Sequence, residues 1–268
     1  MSDRHTRQDS SLGLHGRTVV ITRPAGTGSA VARQVRRLGG LPVLLPGLSL
    51  RGIDDAPTRA ALVAAMHEDV AIFTSPAAVR FAARLQVLRG SRALVLAVGQ
   101  GTARALRRQG IQSVLAPLER QNSEGVLELP IWRELGACRI ALIGAPGGRG
   151  VLREQLAQRG SLREVLVYRR VPPRLRAGHW HALQDLPTGA AVLFSSAEAL
   201  TNLRSLAAPP AWQRLVEAMA VVSSERLAEV AMAAGFSRVL VAASANTLDL
   251  LAAVVQRPSP QEAWGEPR

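Results

Sequence analysis

The sequence predicts an α/β protein with two parallel-sheet lobes built from a duplicated unit, and three observations carry that reading. Hydrophobic residues make up 47% of the 268 residues but aromatics only 3%, the composition of buried aliphatic strands covered by Ala/Leu helices. Short β-branched runs alternate with helical stripes that end at Gly, the pattern of parallel sheets with crossover helices. Finally, Ala71 to Val79, "AIFTSPAAV", returns as Val192 to Leu200, "VLFSSAEAL".

In chain order, "TVVIT" (Thr18 to Thr22) is a β-branched strand. The segment after it puts Val31, Val35 and Leu38 on one helical stripe closed by Gly39-Gly40. "LPVLLP" (Leu41 to Pro46) reads as a second strand whose prolines suit an edge or a connector. "VAIFTS" and "ALVLAVG" follow as strands; helices Pro76 to Leu85 and Thr102 to Gln109 come after them, the latter stopped by Gly110. "SVLAP" is the last strand of this half. The second half repeats the order: "RIALIGAPGGRGVLREQLAQRG" matches the opening strand and helix, and "VLVYRRV" matches "LPVLLP". "AAVLFSSAEAL" then matches "VAIFTSPAAV", and "AVVSSERLAEVAMAAGFSRVLVA" matches the two last strands with their helix. A period of roughly 120 residues is far longer than a solenoid repeat and marks a duplicated domain.

With 33 basic against 20 acidic residues the net charge is +13, and every basic residue is arginine, so anions are the expected partners. Arginines such as Arg104, Arg107 and Arg108 are spread over helix faces without interleaved aromatics, which disfavours a nucleic-acid platform and leaves an acidic small molecule. Cys138 is the single cysteine, so no intrachain disulfide forms. Residues 1–15 are polar, and no apolar run is long enough for a membrane span. The expectation is a cytoplasmic protein with no membrane partner and with disordered tails over residues 1–15 and 257–268.

Ligands of open α/β sheets bind outside the carboxyl ends of the strands. The residues there are Thr22-Arg23, Thr74-Ser75, Gly99 to Thr102, Gly144 to Gly148, Ser195-Ser196 and Ser223-Ser224. Each hydroxyl reads equally as a helix N-cap or as an anion ligand beside free backbone N–H groups, and Ser195 with Glu198 has capping-box spacing. "GAPGGRG" lacks the Lys of a phosphate-binding loop, "GQGTAR" lacks a third Gly, and the His residues have no metal-ligand spacing. Neither a metal nor a cofactor is expected. Tyr168, the single tyrosine, lies beside Arg169 and Arg170; it reads either as an edge-strand residue or as a phenol that protonates or orients a bound group.

Taken together, "VVITRP", "LGGLPVLLP", "IFTSPAAV", "AVGQGTARALRRQG", "GGRGVLREQLAQRG…VLVYRRV", "LFSSAEAL" and "SSERLAEVAMAAGF" resemble the uroporphyrinogen-III synthase family from Gly16 to Gln256. The resemblance implies a cofactor-free, monomeric lyase that closes hydroxymethylbilane into uroporphyrinogen III. The alternative is a non-catalytic anion-binding module on the same scaffold. The resemblance further implies two flavodoxin-like lobes with a ligand cleft between them. One lobe is discontinuous (16–40 with 173–256), the other is continuous (48–164), and 41–47 and 165–172 are the linker strands. The family's cleft hydroxyls resemble Ser75, Thr102 and Ser195, with Ser75 and Ser195 expected to face each other, and its linker tyrosine resembles Tyr168, the candidate catalytic group. Thr22, Arg23, Thr74, Gly99, Gly148, Ser196, Ser223 and Ser224 complete the expected substrate contacts. Arg226 stands near the place of a family hydroxyl and offers a guanidinium to a carboxylate.

Overall fold

The computed structural model describes residues 13–147 and 150–256. Its strands are β1 (Thr18–Ile21), β2 (Leu41–Leu44), β3 (Ser49–Gly52), β4 (Val70–Phe73), β5 (Leu94–Ala97), β6 (Val114–Leu115), β7 (Cys138–Gly144), β8 (Gly160–Leu166), β9 (Tyr168–Val171), β10 (Ala191–Phe194), β11 (Met219–Val222) and β12 (Val239–Val241). The chain divides into two compact units. The first takes Met1–Ser49 and Val171–Arg268, of which 13–49 and 171–256 are described, and the second takes Leu50–Arg170.

The first unit holds a five-stranded sheet in the order β12-β11-β10-β1-β2, all parallel. The second holds β6-β5-β4-β7-β8, again all parallel. Numbered from β1 the first sheet has the flavodoxin-like order 2-1-3-4-5, and numbered from β7 the second has the same order. The duplication and the units are therefore out of phase. Each sheet takes its first two strands from one repeat and its last three from the other. The central strands β1, β4 and β10 are buried along their whole length, as their uninterrupted apolar runs require when helices cover both faces. Two clusters fill each unit. One face of the second sheet packs Phe73, Val79, Leu106 and Ile143, and the other Ile72, Leu96, Ile140 and Leu156.

Three expectations are corrected. "LPVLLP" is not a linker strand: β2 is the edge of the first sheet, in register with β1 from Thr18↔Leu41 to Ile21↔Leu44. "VLVYRRV" is split, because its start completes β8 at the edge of the second sheet while its end forms β9. The two-stranded sheet is made by β9 with β3, at the two places where the chain passes between the units. Of the expected tail 1–15, the described part is ordered, since Leu14 is buried and its N–H donates to Leu38 O at 2.6 Å; residues 1–12 lie outside the described residues. The expected tail 257–268 lies outside the described residues.

Charged residues tie the segment ahead of β4 to β7 and β8. Asp69 accepts from the Arg139 guanidinium at 2.9 Å and from the Arg139 backbone N–H at 2.8 Å. Glu68, buried, pairs with Arg163 at 3.0 Å. The Arg139 side-chain bonds, then its backbone bond, hold the Asp69 carboxyl below its ordinary value. A depressed carboxyl stabilises the fold above its unfolded pKa of about 3.9, and that contribution disappears as pH falls through the lower folded value. Asp69→Asn should therefore melt below the native protein at pH 7, with the gap closing as pH drops under about 4. Melting curves from pH 7 to 3 check this, and a gap constant across that range would contradict it.

Candidate active site

In the second unit the connections from β4 and from β7 lead to opposite sides of the sheet, so a crevice opens at the carboxyl ends of these two neighbours. A cavity of about 560 Å³ occupies that place. Its floor is Thr74, Ser75 and Gly144. Thr74 ends β4 and its hydroxyl donates to Ile143 O at 3.2 Å. Ser75 is the N-cap of helix Pro76–Leu85, its oxygen accepting the Ala78 N–H at 3.1 Å, with Pro76 at the first helical position. That helix points its N-terminus at the cavity, which favours negative charge there. Gly144 admits this arrangement because a Cβ on it would lie 2.4 Å from Thr74 Oγ1.

One wall follows β8 into β9: Glu164, Leu166, Tyr168 and Arg170 all line the cavity, and Val165, Val167 and Tyr168 also belong to the core. Tyr168 is 3% exposed, not an exposed edge residue as its strand context suggested. Its ring stacks on Phe81 at 5.3 Å and 16°, and Phe81 in turn lies under the guanidinium groups of Arg80 and Arg84 at 5.0 and 5.3 Å. The phenol oxygen stands 3.2 Å from Ser75 Oγ, and either hydroxyl can donate. Arg170 donates to Pro146 O at 3.4 Å, which sets its guanidinium against the turn after β7. Asn122, Ser123 and Arg153 line the cavity as well, and Arg153 lies beside Glu164, Nη1 to Oε1 at 3.4 Å.

Of the expected site residues, the cavity gathers Thr74, Ser75 and Tyr168. Gly99 and Thr102 do not line it: Gly99 is the N-cap residue of helix Gln100–Arg108 and packs against Gln121, and Thr102 is buried in the first turn. Gly148 lies outside the described residues. The others belong to the first unit. Thr22 is buried and its hydroxyl donates to Leu193 O at 2.6 Å. Arg23 donates to Ala245 O at 2.6 Å, and burial lowers its pKa from the ordinary arginine value. The capping reading of Ser195 is corrected: the N-cap of helix Ala197–Leu206 is Ser196, without a side-chain cap, so Ser75 corresponds to Ser196 and Thr74 to Ser195. Ser224 caps Leu227 at 3.4 Å, Ser223 is half-buried, and Arg226 is exposed on the first turn of its helix.

Sequence reasoning missed Glu164 and Arg153. Among the described residues no group of three His, Cys, Asp or Glu could hold a metal ion, and no helix is long and apolar enough to cross a membrane.

Comparison with known proteins agrees with this architecture. The family model described as uroporphyrinogen-III synthase HemD matches residues 29–252. The uroporphyrinogen-III synthase of Salmonella typhimurium is 31% identical over 253 residues, covering 88% of this chain and 99% of that one. Its namesake from Escherichia coli is 30% identical with the same coverage. Among solved structures, uroporphyrinogen-III synthetase from Helicobacter pylori matches with a TM-score of 0.57 at 15% identity over 88% of this chain and 96% of that one. A mutant uroporphyrinogen III synthase from the extremely thermophilic bacterium Thermus thermophilus matches with a TM-score of 0.54 at 19% identity over 90% and 96%. The structural matches establish the shared two-sheet α/β fold, and the sequence matches run through β4, β7 and the Tyr168 strand alike: the chain belongs to the uroporphyrinogen-III synthase family.

Proposed function

We propose that this chain cyclises hydroxymethylbilane to uroporphyrinogen III, with loss of water and inversion of the last pyrrole ring. The observation that carries the reading at the site is the buried phenol of Tyr168 held against Ser75 in the cavity at the ends of β4 and β7. A cavity of about 560 Å³ has room for a drug-sized fragment, about two of the substrate's four carboxylated rings. The N-terminus of helix Pro76–Leu85 with Arg170 and Arg153 supplies the positive potential that such a fragment needs.

The chemistry assigned to Tyr168 is general acid catalysis at the terminal hydroxyl. The phenol proton passes to that oxygen, the carbon–oxygen bond breaks with its electron pair leaving on water, and an azafulvenium cation remains beside the phenolate. The Ser75 hydroxyl rotates to donate to the phenolate, its oxygen still accepting the Ala78 N–H. Attack through the substituted carbon of the last ring gives a spiro intermediate, which fragments and recombines. The proton lost as the new ring closure regains aromaticity returns the phenolate to phenol, so the net change is one water. The substrate is intrinsically reactive, and the protein's larger task is to hold the bilane so that direct closure is blocked.

Purified protein supplied with freshly made hydroxymethylbilane should give the type III isomer as the dominant product when the oxidised porphyrins are separated by chromatography. Type I isomer alone, the product of spontaneous closure, would reject the reading. A non-catalytic anion-binding module would instead gain thermal stability from the polycarboxylate without altering the isomer ratio. Acting as a cytoplasmic monomer without a cofactor is part of the same proposal; the single cysteine, which allows no intrachain disulfide, suits a reducing compartment.

A further inference from the structure

Glu164 is the one acidic side chain among the described residues that line the cavity. A carboxylate is out of place in a cavity that receives a polycarboxylate. Its guanidinium neighbour explains it: Arg153 Nη1 lies 3.4 Å from Glu164 Oε1, and the two side chains are 57% and 40% exposed. At that length and exposure the pair is a weak one, screened by solvent and readily exchanged. Both groups are nonetheless placed by rigid elements, Arg153 on helix Gly150–Ala157 and Glu164 on β8, and β9 brings Tyr168 and Arg170 to the same cavity.

We infer that Arg153 and Glu164 form an exchangeable pair in which a carboxylate of the bound tetrapyrrole displaces Glu164 from Arg153, so that Glu164 sets how tightly the site holds its polyanionic ligand. In the empty site Glu164 holds the guanidinium at the cavity's edge. In the occupied site a ligand acetate or propionate takes the guanidinium in forked contact, and Glu164 is released to solvent, where it competes for Arg153 again as product leaves. The inference rests on the proposed reading of this cavity as the tetrapyrrole site and adds a specificity-determining pair to it.

The full chain is tested as Glu164→Gln, Arg153→Gln and the double variant, measuring KM and kcat for hydroxymethylbilane and, separately, the Kd for the octacarboxylate uroporphyrin III by fluorescence titration. Glu164→Gln should lower KM and Kd about threefold, the scale of one exposed ion pair. Arg153→Gln should raise both about tenfold, the scale of a lost charged hydrogen bond. In both variants kcat should stay within about twofold, because neither group touches the reacting hydroxyl. The double variant should remain close to Arg153→Gln, because Glu164 acts through Arg153. Shifts of the same sign in the two single variants, no shift in Glu164→Gln, or additive effects in the double variant would overturn the exchange. The Kd arm reads polycarboxylate binding alone, so it decides the pair even for a protein that yields only type I isomer, and the two failures stay distinct.

Discussion

Tyr168→Phe should lower turnover by about a hundredfold or more, the usual contribution of a general acid, while the type III isomer remains the product of whatever turnover survives. The substitution is close to a clean removal of one oxygen. The ring keeps its stack on Phe81 and its place in the core, and Ser75 keeps the Ala78 N–H, so the fold should lose no more than about 1 kcal/mol. Ser75→Ala removes an N-cap as well as the partner of the phenol and should cost about 1 kcal/mol of stability with roughly a fivefold loss of rate. Thr102→Ala and Ser195→Ala, both outside the cavity of the second unit, should be mild. Single-turnover rates on variants shown to be folded give the ranking. Near-normal turnover in Tyr168→Phe would leave the phenol as a packing group and move the acid elsewhere.

How much of this was legible beforehand differs by element, for physical reasons. The central strands were plain because burial on both faces leaves runs such as "VAIF" with no polar interruption. Thr74 and Ser75 were plain because the end of a parallel strand is where its following helix exposes N–H groups. β3 was not legible: Ser49-Leu50-Arg51-Gly52 is short, half polar and ends in Gly, and it is a strand because it pairs with β9, far away in sequence. β2 was found as a strand and assigned to the wrong sheet, since a proline-flanked edge strand looks alike whichever neighbour completes it. Arg153 and Glu164 resemble any solvated residues of a helix and an edge strand. Only the strand order, which puts β8 beside β7, turns them toward the cavity.

The second large effect is expected at Gly144, because its neighbour across the sheet already fills the space a side chain would need. The register runs from Val70↔Ile140 to Phe73↔Ile143, which brings Thr74 opposite Gly144 just past the strand end. In the first unit the corresponding register ends at Ile21↔Leu193, which brings Phe194 opposite Thr22. In the first unit the threonine rises from β1 and bonds to Leu193 O, and in the second it rises from β4 and bonds to Ile143 O. A threonine at 144 puts its Cβ 2.4 Å from Thr74 Oγ1 and 3.3 Å from Thr74 Cγ2, on the floor of the cavity. Gly144→Thr should destabilise the fold by about 1–3 kcal/mol through overpacking. It should also lower kcat/KM by about a hundredfold, because Thr74 and Ser75 are displaced where the substrate must be positioned to within about an ångström. Pairing it with Thr74→Ala removes both the hydroxyl and the methyl group that the new Cβ meets, which should restore much of the melting temperature. It should leave the activity low, because the added side chain still occupies the floor. Melting curves beside steady-state rates for the single and double variants separate the two effects, and a double variant that recovered activity along with stability would show that the Gly144 side of the cavity is not where the substrate lies.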